Sequence, residues 1–276
     1  MKSMIKFELK NCLLRREAIY IFAAMCILNI IAYLITVYSY YGNPLSSIRS
    51  AFDLSILTGH PSRFLYQTFI ILLPLLSALI YADSYFTDLK SGVYKQIITR
   101  TKQSDYIGAK ILTIVIVTFF FTFIPLMLNQ LLCLIAFPSV GFDNNFAYPA
   151  YDIGYQNYDS SYWLDLTRVQ HPFLYNILFM CTASIFSVLF ALWTFAISML
   201  FPKGRLVVIS SIFFLQLFYS FMVEILNVRS LSFFNFVIPL SQTTTLHFIS
   251  IVLVMLVISL GIIKMRLNRE LELQEV

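Results

Sequence analysis

The stretch Ile111-Leu-Thr-Ile-Val-Ile-Val-Thr-Phe-Phe-Phe-Thr-Phe-Ile-Pro-Leu-Met-Leu-Asn-Gln-Leu-Leu-Cys-Leu-Ile-Ala-Phe137 contains no charged side chain. The hydrocarbon core of a bilayer is about 30 Å thick, and a helix rising about 1.5 Å per residue crosses it with roughly 20 apolar residues. The stretch therefore reads as a membrane-spanning helix. Outward from it in both directions, five more segments meet the same test: Ala18–Tyr41, Phe64–Ala82, Phe173–Phe201, Leu206–Asn227 and Leu246–Ile263. Across all six, the one Asp, Glu, Lys or Arg is Glu224, near the end of the fifth. The expected fold is an all-α polytopic membrane protein, a single transmembrane domain over residues 1–276 with six transmembrane helices.

Composition excludes the other broad classes. Hydrophobic residues make up 59% and charged residues 12%, against roughly 45–50% and about 25% in soluble domains. The 19 Lys and Arg and 14 Asp and Glu are too few to coat a soluble globule of 276 residues, so a soluble enzyme and a disordered chain both fit poorly. Six spans put both termini on one side. The flanks on that side carry Lys2, Lys6, Lys10, Arg15, Arg16, Lys90, Lys95, Arg100, Lys102, Lys110, Lys203, Arg205, Lys264, Arg266 and Arg269, and the opposite flanks only Arg49, Arg63, Arg168 and Arg229. Basic flanks stay in the cytoplasm, so both termini are expected there, in a multi-pass protein of a plasma (cell) membrane, compatible with a bacterial one. The net charge of +5 is then a topology signal facing anionic lipid head groups, and it needs no nucleic-acid partner.

The leader, residues 1–17, places Met1, Met4, Ile5, Leu9, Cys12 and Leu13 at helical spacing with Lys2, Lys6 and Lys10 on another side. That pattern predicts an interfacial helix, apolar face in the membrane and lysines on lipid phosphates. Glu8 falls inside the apolar stripe and interrupts it. The first span follows a charged leader and lacks a small-x-small cleavage site, so it is expected to be retained. The first outer loop, Gly42–Arg63, carries the turn signals Gly42-Asn43-Pro44 and Gly59-His60-Pro61. The second, residues 138–172, is long and sets Tyr148, Tyr151, Tyr155, Tyr158 and Tyr162 among Asp152, Gln156, Asn157 and Asp159, with Trp163 behind them. Such a mixture suits either a loop lying on the outer leaflet or a surface for a substrate or partner. In Ser230–Thr245, Phe233, Phe234, Phe236 and Val237 are too few to span and too apolar for a water loop, which predicts a short re-entrant segment before the sixth span. Cys12, Cys26, Cys133 and Cys181 lie in the leader or the spans and read as small hydrophobes, with no disulfide framework and no C-x-x-C metal spacing.

The segment between the second and third spans is the most specific. It reads Tyr81-Ala-Asp-Ser-Tyr-Phe-Thr-Asp-Leu-Lys-Ser-Gly92-Val-Tyr-Lys-Gln-Ile-Ile-Thr-Arg100-Thr-Lys-Gln-Ser-Asp-Tyr-Ile-Gly-Ala-Lys110. The second span is expected to continue as a helix through Asp83 and Asp88 until Gly92 ends it. Val93, Tyr94, Ile97 and Ile98 then recur at i, i+1, i+4 and i+5, which predicts one or two helical turns with an apolar edge. Ser104 and Asp105 suit the cap and first turn of the third span. A helix this short is marginal in water and needs something to pack on, either a partner protein or the chain's own cytoplasmic surface.

Asp88, Gly92, Arg100 and Lys110, with Ile97-Ile98 between them, resemble the membrane subunits of type-2 ATP-binding-cassette exporters. That family's signature is an acidic residue, a Gly, a short coupling helix, and then an Arg and a Lys opening the next span. The architecture is similar over nearly the whole chain, although only residues 83–110 are specific and the loop 138–172 departs from the compact family pattern. What the resemblance implies is half of a transporter: the permease subunit of an ATP-driven exporter, moving an apolar or amphipathic substrate (peptide, lipid-linked molecule or drug) out of the cytoplasm. It implies a second permease subunit, identical or related, and two copies of a cytoplasmic ABC ATPase. These would engage a coupling segment comprising Asp88, Gly92, Val93, Tyr94, Ile97, Ile98, Arg100 and Lys110. The chain has no G-x-x-x-x-G-K-[ST] loop. No catalytic residue, metal or cofactor is therefore expected in it, and ATP and Mg belong to the partner ATPase.

Within the spans, Asn29, Gln67, Asn129, Gln130, Asn176 and Gln216 are expected mostly as interhelical hydrogen bonds, each worth about 1 kcal/mol or less. Asn129, Gln130, Gln216 and Glu224 are the candidates for a substrate pathway. Pro74 and Pro125 are expected to kink their helices. Glu224 lies roughly 28 Å along its helix from Arg205, which puts it near the outer interface, hydrated and close to Arg229. Other classes fit less well. A secondary transporter or channel would want embedded carboxylates, histidines or an inverted repeat. An intramembrane enzyme would want a catalytic constellation at membrane depth, yet His60, His171 and His247 all sit in or beside outer segments. A non-transporting sensor or scaffold is permitted by the long outer loop.

Overall fold

A computed structural model describes residues 2–44, 47–139, 160–200 and 204–272. Their regular structure is entirely helical: α1 (Lys2–Leu14), α2 (Arg16–Tyr40), α3 (Arg63–Ser77), α4 (Ser84–Ser91), α5 (Val93–Ile98), α6 (Gln103–Ala136), α7 (Asp165–Gln170), α8 (Pro172–Leu200), α9 (Arg205–Ile225), α10 (Phe233–Val237) and α11 (Thr245–Glu272). Six helical stretches are long and apolar enough to cross a membrane, at Arg16–Tyr40, Arg63–Ser91, Gln103–Ala136, Pro172–Leu200, Arg205–Ile225 and Thr245–Asn268. The chain is a multi-pass membrane protein.

α8 is the axle. Its span is 72% buried, against 28% for α9, 22% for α2 and 11% for α11, which leaves those three on the outside of the bundle. In lipid, helices gain little from burying apolar surface against one another and associate through close packing at small residues. The buried side chains of α8 include Ala183, Ser184, Ser187, Ala191, Thr194, Ala196 and Ser198. Ser184, Thr194 and Ser198 return their hydroxyls to carbonyls of their own helix, and Thr122 of α6 donates to Ser187 at 2.8 Å. The axle thus allows close approach with few uncommitted polar groups.

The second span is irregular. Pro74 sits inside α3 and a π-helical turn, Ala78–Ala82, follows before α4 resumes at Ser84. Proline lacks a donor and clashes with the preceding turn, and widened turns are a recognised cause of helix bending. α4 ends as expected at Gly92, in the left-handed region at φ 76°. The third span begins earlier than the sequence suggests. Lys102, not Ser104, is its cap position, with Asp105 still in the first turn.

Two connections are packed into the bundle rather than laid over it. Residues 47–62 bury Ala51, Leu54, Ser55, Ile56 and Leu57. In the expected re-entrant stretch, Phe233, Phe236 and Val237 of α10 are buried against Phe186 of α8, Trp163 and Phe248. Its irregular backbone is served by side chains, as apolar surroundings require: Tyr66 donates to the Val237 carbonyl at 2.8 Å, Thr182 donates to the Phe236 carbonyl, and the Leu240 N–H donates to the Tyr175 hydroxyl. Of the Tyr-rich loop, Tyr148, Tyr151, Tyr155 and Tyr158 lie outside the described residues. Trp163, at its far end, is buried and donates to Thr245.

Candidate functional site

The end of the bundle that carries α1, α4 and α5, here called the leader face, holds two ionic clusters. The first centres on Lys110, whose side chain is 1% exposed. Its ammonium lies 2.8 Å from Asp88 Oδ2 and 3.1 Å from Glu8 Oε2. The Tyr81 hydroxyl donates to Glu8 at 2.5 Å and that of Tyr106 to Asp88 at 2.7 Å, while both rings flank the ammonium at 5.1 and 5.0 Å. A buried charge must be paired and hydrogen-bonded to be tolerated, and here one cation holds three elements distant in sequence: α1, α4 and α6.

This cluster explains the interrupted stripe of the leader. Glu8 and Cys12 are buried and Met4 and Leu9 pack on the same core, so this part of the stripe faces the protein. Lys2, Lys6 and Lys10 remain exposed, as do Phe7, Leu13 and Leu14. Burial pushes the Cys12 thiol up to about 12.

The second cluster centres on Asp83, which is fully buried. Arg15, the single residue between α1 and α2, grips both of its oxygens at 2.7 Å, and Arg205 at the start of α9 donates Nε to it at 2.6 Å. Glu17 accepts from both guanidinium groups, from Arg15 Nη2 at 2.6 Å and Arg205 Nη1 at 2.6 Å. Two carboxylates and two guanidinium groups alternate in a closed, neutral ring that joins the leader turn, the second span and the fifth. Burial alone would lower the pKa of Arg15. The hydrogen bond and charge of Asp83, reinforced by Glu17, more than offset this and hold it above its ordinary value.

α5 lies beside these clusters, and its apolar edge is divided. Tyr94 turns inward, its ring against Tyr85 and Tyr106 and its hydroxyl accepting from Gln103 at 2.9 Å. Ile97 packs partly on the same core, Ile98 is half-buried, and Val93, Lys95, Gln96 and Arg100 face outward. Asp88, Tyr94 and Lys110 therefore come together around Tyr106, Gly92 makes the turn between α4 and α5, and Val93 and Arg100 lie on the outward surface.

The pathway candidates lie elsewhere. Asn129 accepts from the Ile56 N–H at 2.8 Å and donates to the Asn29 carbonyl at 2.9 Å. Gln130 donates to the Ala51 carbonyl, and Asn176 donates to Gln130 and to the Phe52 carbonyl, both at 2.8 Å. These amides hold residues 51–56 in the mouth of the bundle. Gln216 is buried on α9, donates to Ser220, and borders a cavity. Glu224 and Arg229 pair at 2.8 Å, both exposed, the arrangement expected for a hydrated carboxylate.

Sequence reasoning missed Glu8, Arg15, Glu17, Asp83, Gln103 and Arg205 as members of a site. The available signals were a carboxylate inside an apolar stripe and one at the very end of an apolar span. No protein-family model, curated protein or solved structure matches the chain.

Proposed function

We propose that the chain is the permease subunit of an ATP-driven exporter of the type-2 ATP-binding-cassette class, with its leader face in the cytoplasm. The observation that carries this reading is α5, a short helix with no buried residue that nonetheless hangs on rigid supports. Asp88 and Lys110 fix the helices on either side of it, and Tyr94 and Gln103 fix it to the third span. A push on the outward surface at Val93 and Arg100 would pass through the Lys110 cluster into α1 and α6. It would pass through α4 to Asp83, and so to α9. Coupling needs an element whose alternative positions a partner can bias, and α5 between two ionic anchors has that form. The partner would be a separate ATPase, the second permease subunit would be identical or related, and the cargo would be apolar or amphipathic.

Against a secondary transporter, each buried carboxylate among the described residues is paired with a cation, Glu8 with Lys110, Asp83 with Arg15 and Arg205, and Asp165 with Arg168. None is left to bind a coupling ion.

Purification in mild detergent from the native host tests the reading. The wild type should carry a cytoplasmic protein with a G-x-x-x-x-G-K-[ST] loop at one copy per permease subunit, and Val93→Asp, at an exposed position, should release it without changing the melting temperature. A wild type that retains no such ATPase, even on co-expression, sinks the reading.

A further inference from the structure

α9 and α11 both pack on α8 and make little contact with each other. Between them lies a cavity of about 380 Å³, with Phe190 and Trp193 of α8 at its base, Ile212 and Gln216 on one wall, Val254 on the other, and Leu231 at its end. None of its lining residues is charged. Its polar side chains are already engaged: the Tyr219 hydroxyl donates to the Leu231 carbonyl at 2.8 Å, Ser250 to the His247 carbonyl at 2.8 Å, Trp193 Nε1 to the Met255 carbonyl at 2.9 Å, and Gln216 to Ser220 at 3.2 Å. The wall carries no charge to hold an ionic head group and only a few, mostly engaged, polar atoms, against the two to four partners an ordered water needs.

The bounding helices are among the least buried in the bundle, and their outer surfaces, Phe214, Phe218 and Phe221 on α9 and Val254, Val257 and Ile258 on α11, are exposed and apolar. The cleft between them therefore opens onto the hydrocarbon of the bilayer. An unfilled apolar void forfeits the dispersion contacts of its lining, and the surrounding medium is itself hydrocarbon, so filling the void requires no desolvation.

We infer that this cavity holds one acyl chain of a bilayer lipid, inserted sideways between the fifth and sixth spans against Trp193. The inference stands apart from the exporter reading, since it concerns the chain alone in a membrane.

Trp163 and Trp193 are the two tryptophans, so Trp163→Phe leaves Trp193 as the single reporter. The purified variant is reconstituted without any ATPase into vesicles of phosphatidylcholine brominated at mid-chain, and its fluorescence is compared with that in unbrominated vesicles. Strong quenching is expected. Filling the cavity with Val254→Phe, or independently with Ser250→Leu, should abolish most of that quenching while leaving the emission maximum and melting temperature of the parent unchanged. An unquenched Trp193, or quenching that survives both filled variants, would overturn the inference. Neither result bears on whether an ATPase binds.

Discussion

Lys110 illustrates how much a single side chain can organise at the residue scale. Removing one partner of a buried pair strands the other, which costs about 3–5 kcal/mol, whereas neutralising both is far milder. Lys110→Ala should therefore destabilise the detergent-purified protein by about 3–5 kcal/mol in thermal unfolding, and the triple change Lys110→Met with Glu8→Gln and Asp88→Asn, which removes the cation together with both of its carboxylates, should restore much of the loss. Cys12 reports the same event chemically. The thiolate is the reactive form, and with its pKa pushed up to about 12 by burial Cys12 should resist maleimide at pH 8. Lys110→Ala should release α1 and make Cys12 reactive, and a Cys12 equally inert in both would show that the leader is held by something other than this charge. Glu8 was visible in the sequence only as a flaw in an apolar stripe. Its meaning rests on a partner 102 residues away, which no local periodicity encodes.

At the scale of elements, the second span and the loop that precedes it differ in how legible they were. Gly92 could be read directly, because a helix ending in the left-handed region favours a residue without a Cβ. An added Cβ would meet nothing within 4 Å, so Gly92→Ala should cost only the conformational penalty of about 1–2 kcal/mol, seen as faster hydrogen exchange across α4 and α5 with the remaining spans unaffected. The packed loop could not be read. Its turn signals were plain, but its depth depends on Asn129, Gln130 and Asn176 bonding to its backbone, and amides in spans look the same whether they meet a loop, a helix or a substrate. Asn129→Ala would leave the Ile56 N–H without its partner, at about 1–3 kcal/mol if it stays buried, while the Asn29 carbonyl keeps the intrahelical bond of α2. Residues 47–62 should then become cleavable by added protease in intact vesicles, and continued resistance would mean that Gln130 and Asn176 suffice. The division of α5 into an inward Tyr94 and an outward Val93 was equally hidden, because spacing gives an apolar edge but not which side of it the protein claims.

For the whole molecule, the six spans were legible because long uncharged runs admit one physical reading in a bilayer, and their boundaries moved by more than two residues only beyond Ala82, before Ile111 and beyond Ile263, where the helix runs on. The spatial order was not legible: that α8 is the axle and α2, α9 and α11 lie outside follows from the placement of small residues, which segment-by-segment hydropathy averages away. The two ionic clusters tie α1, α2, α6, α9 and the end of the second span together, and α5 joins them through Gly92 and the bond from Gln103 to Tyr94, so what α5 touches in the cell decides the reading. The most direct measurement places a photo-activatable benzoylphenylalanine at position 93, irradiates living cells and identifies the adduct by mass spectrometry. The expected adduct is a cross-link to a separate cytoplasmic protein carrying a G-x-x-x-x-G-K-[ST] loop. Adducts confined to this chain's own leader face, with the protein expressed at its native level, would contradict it.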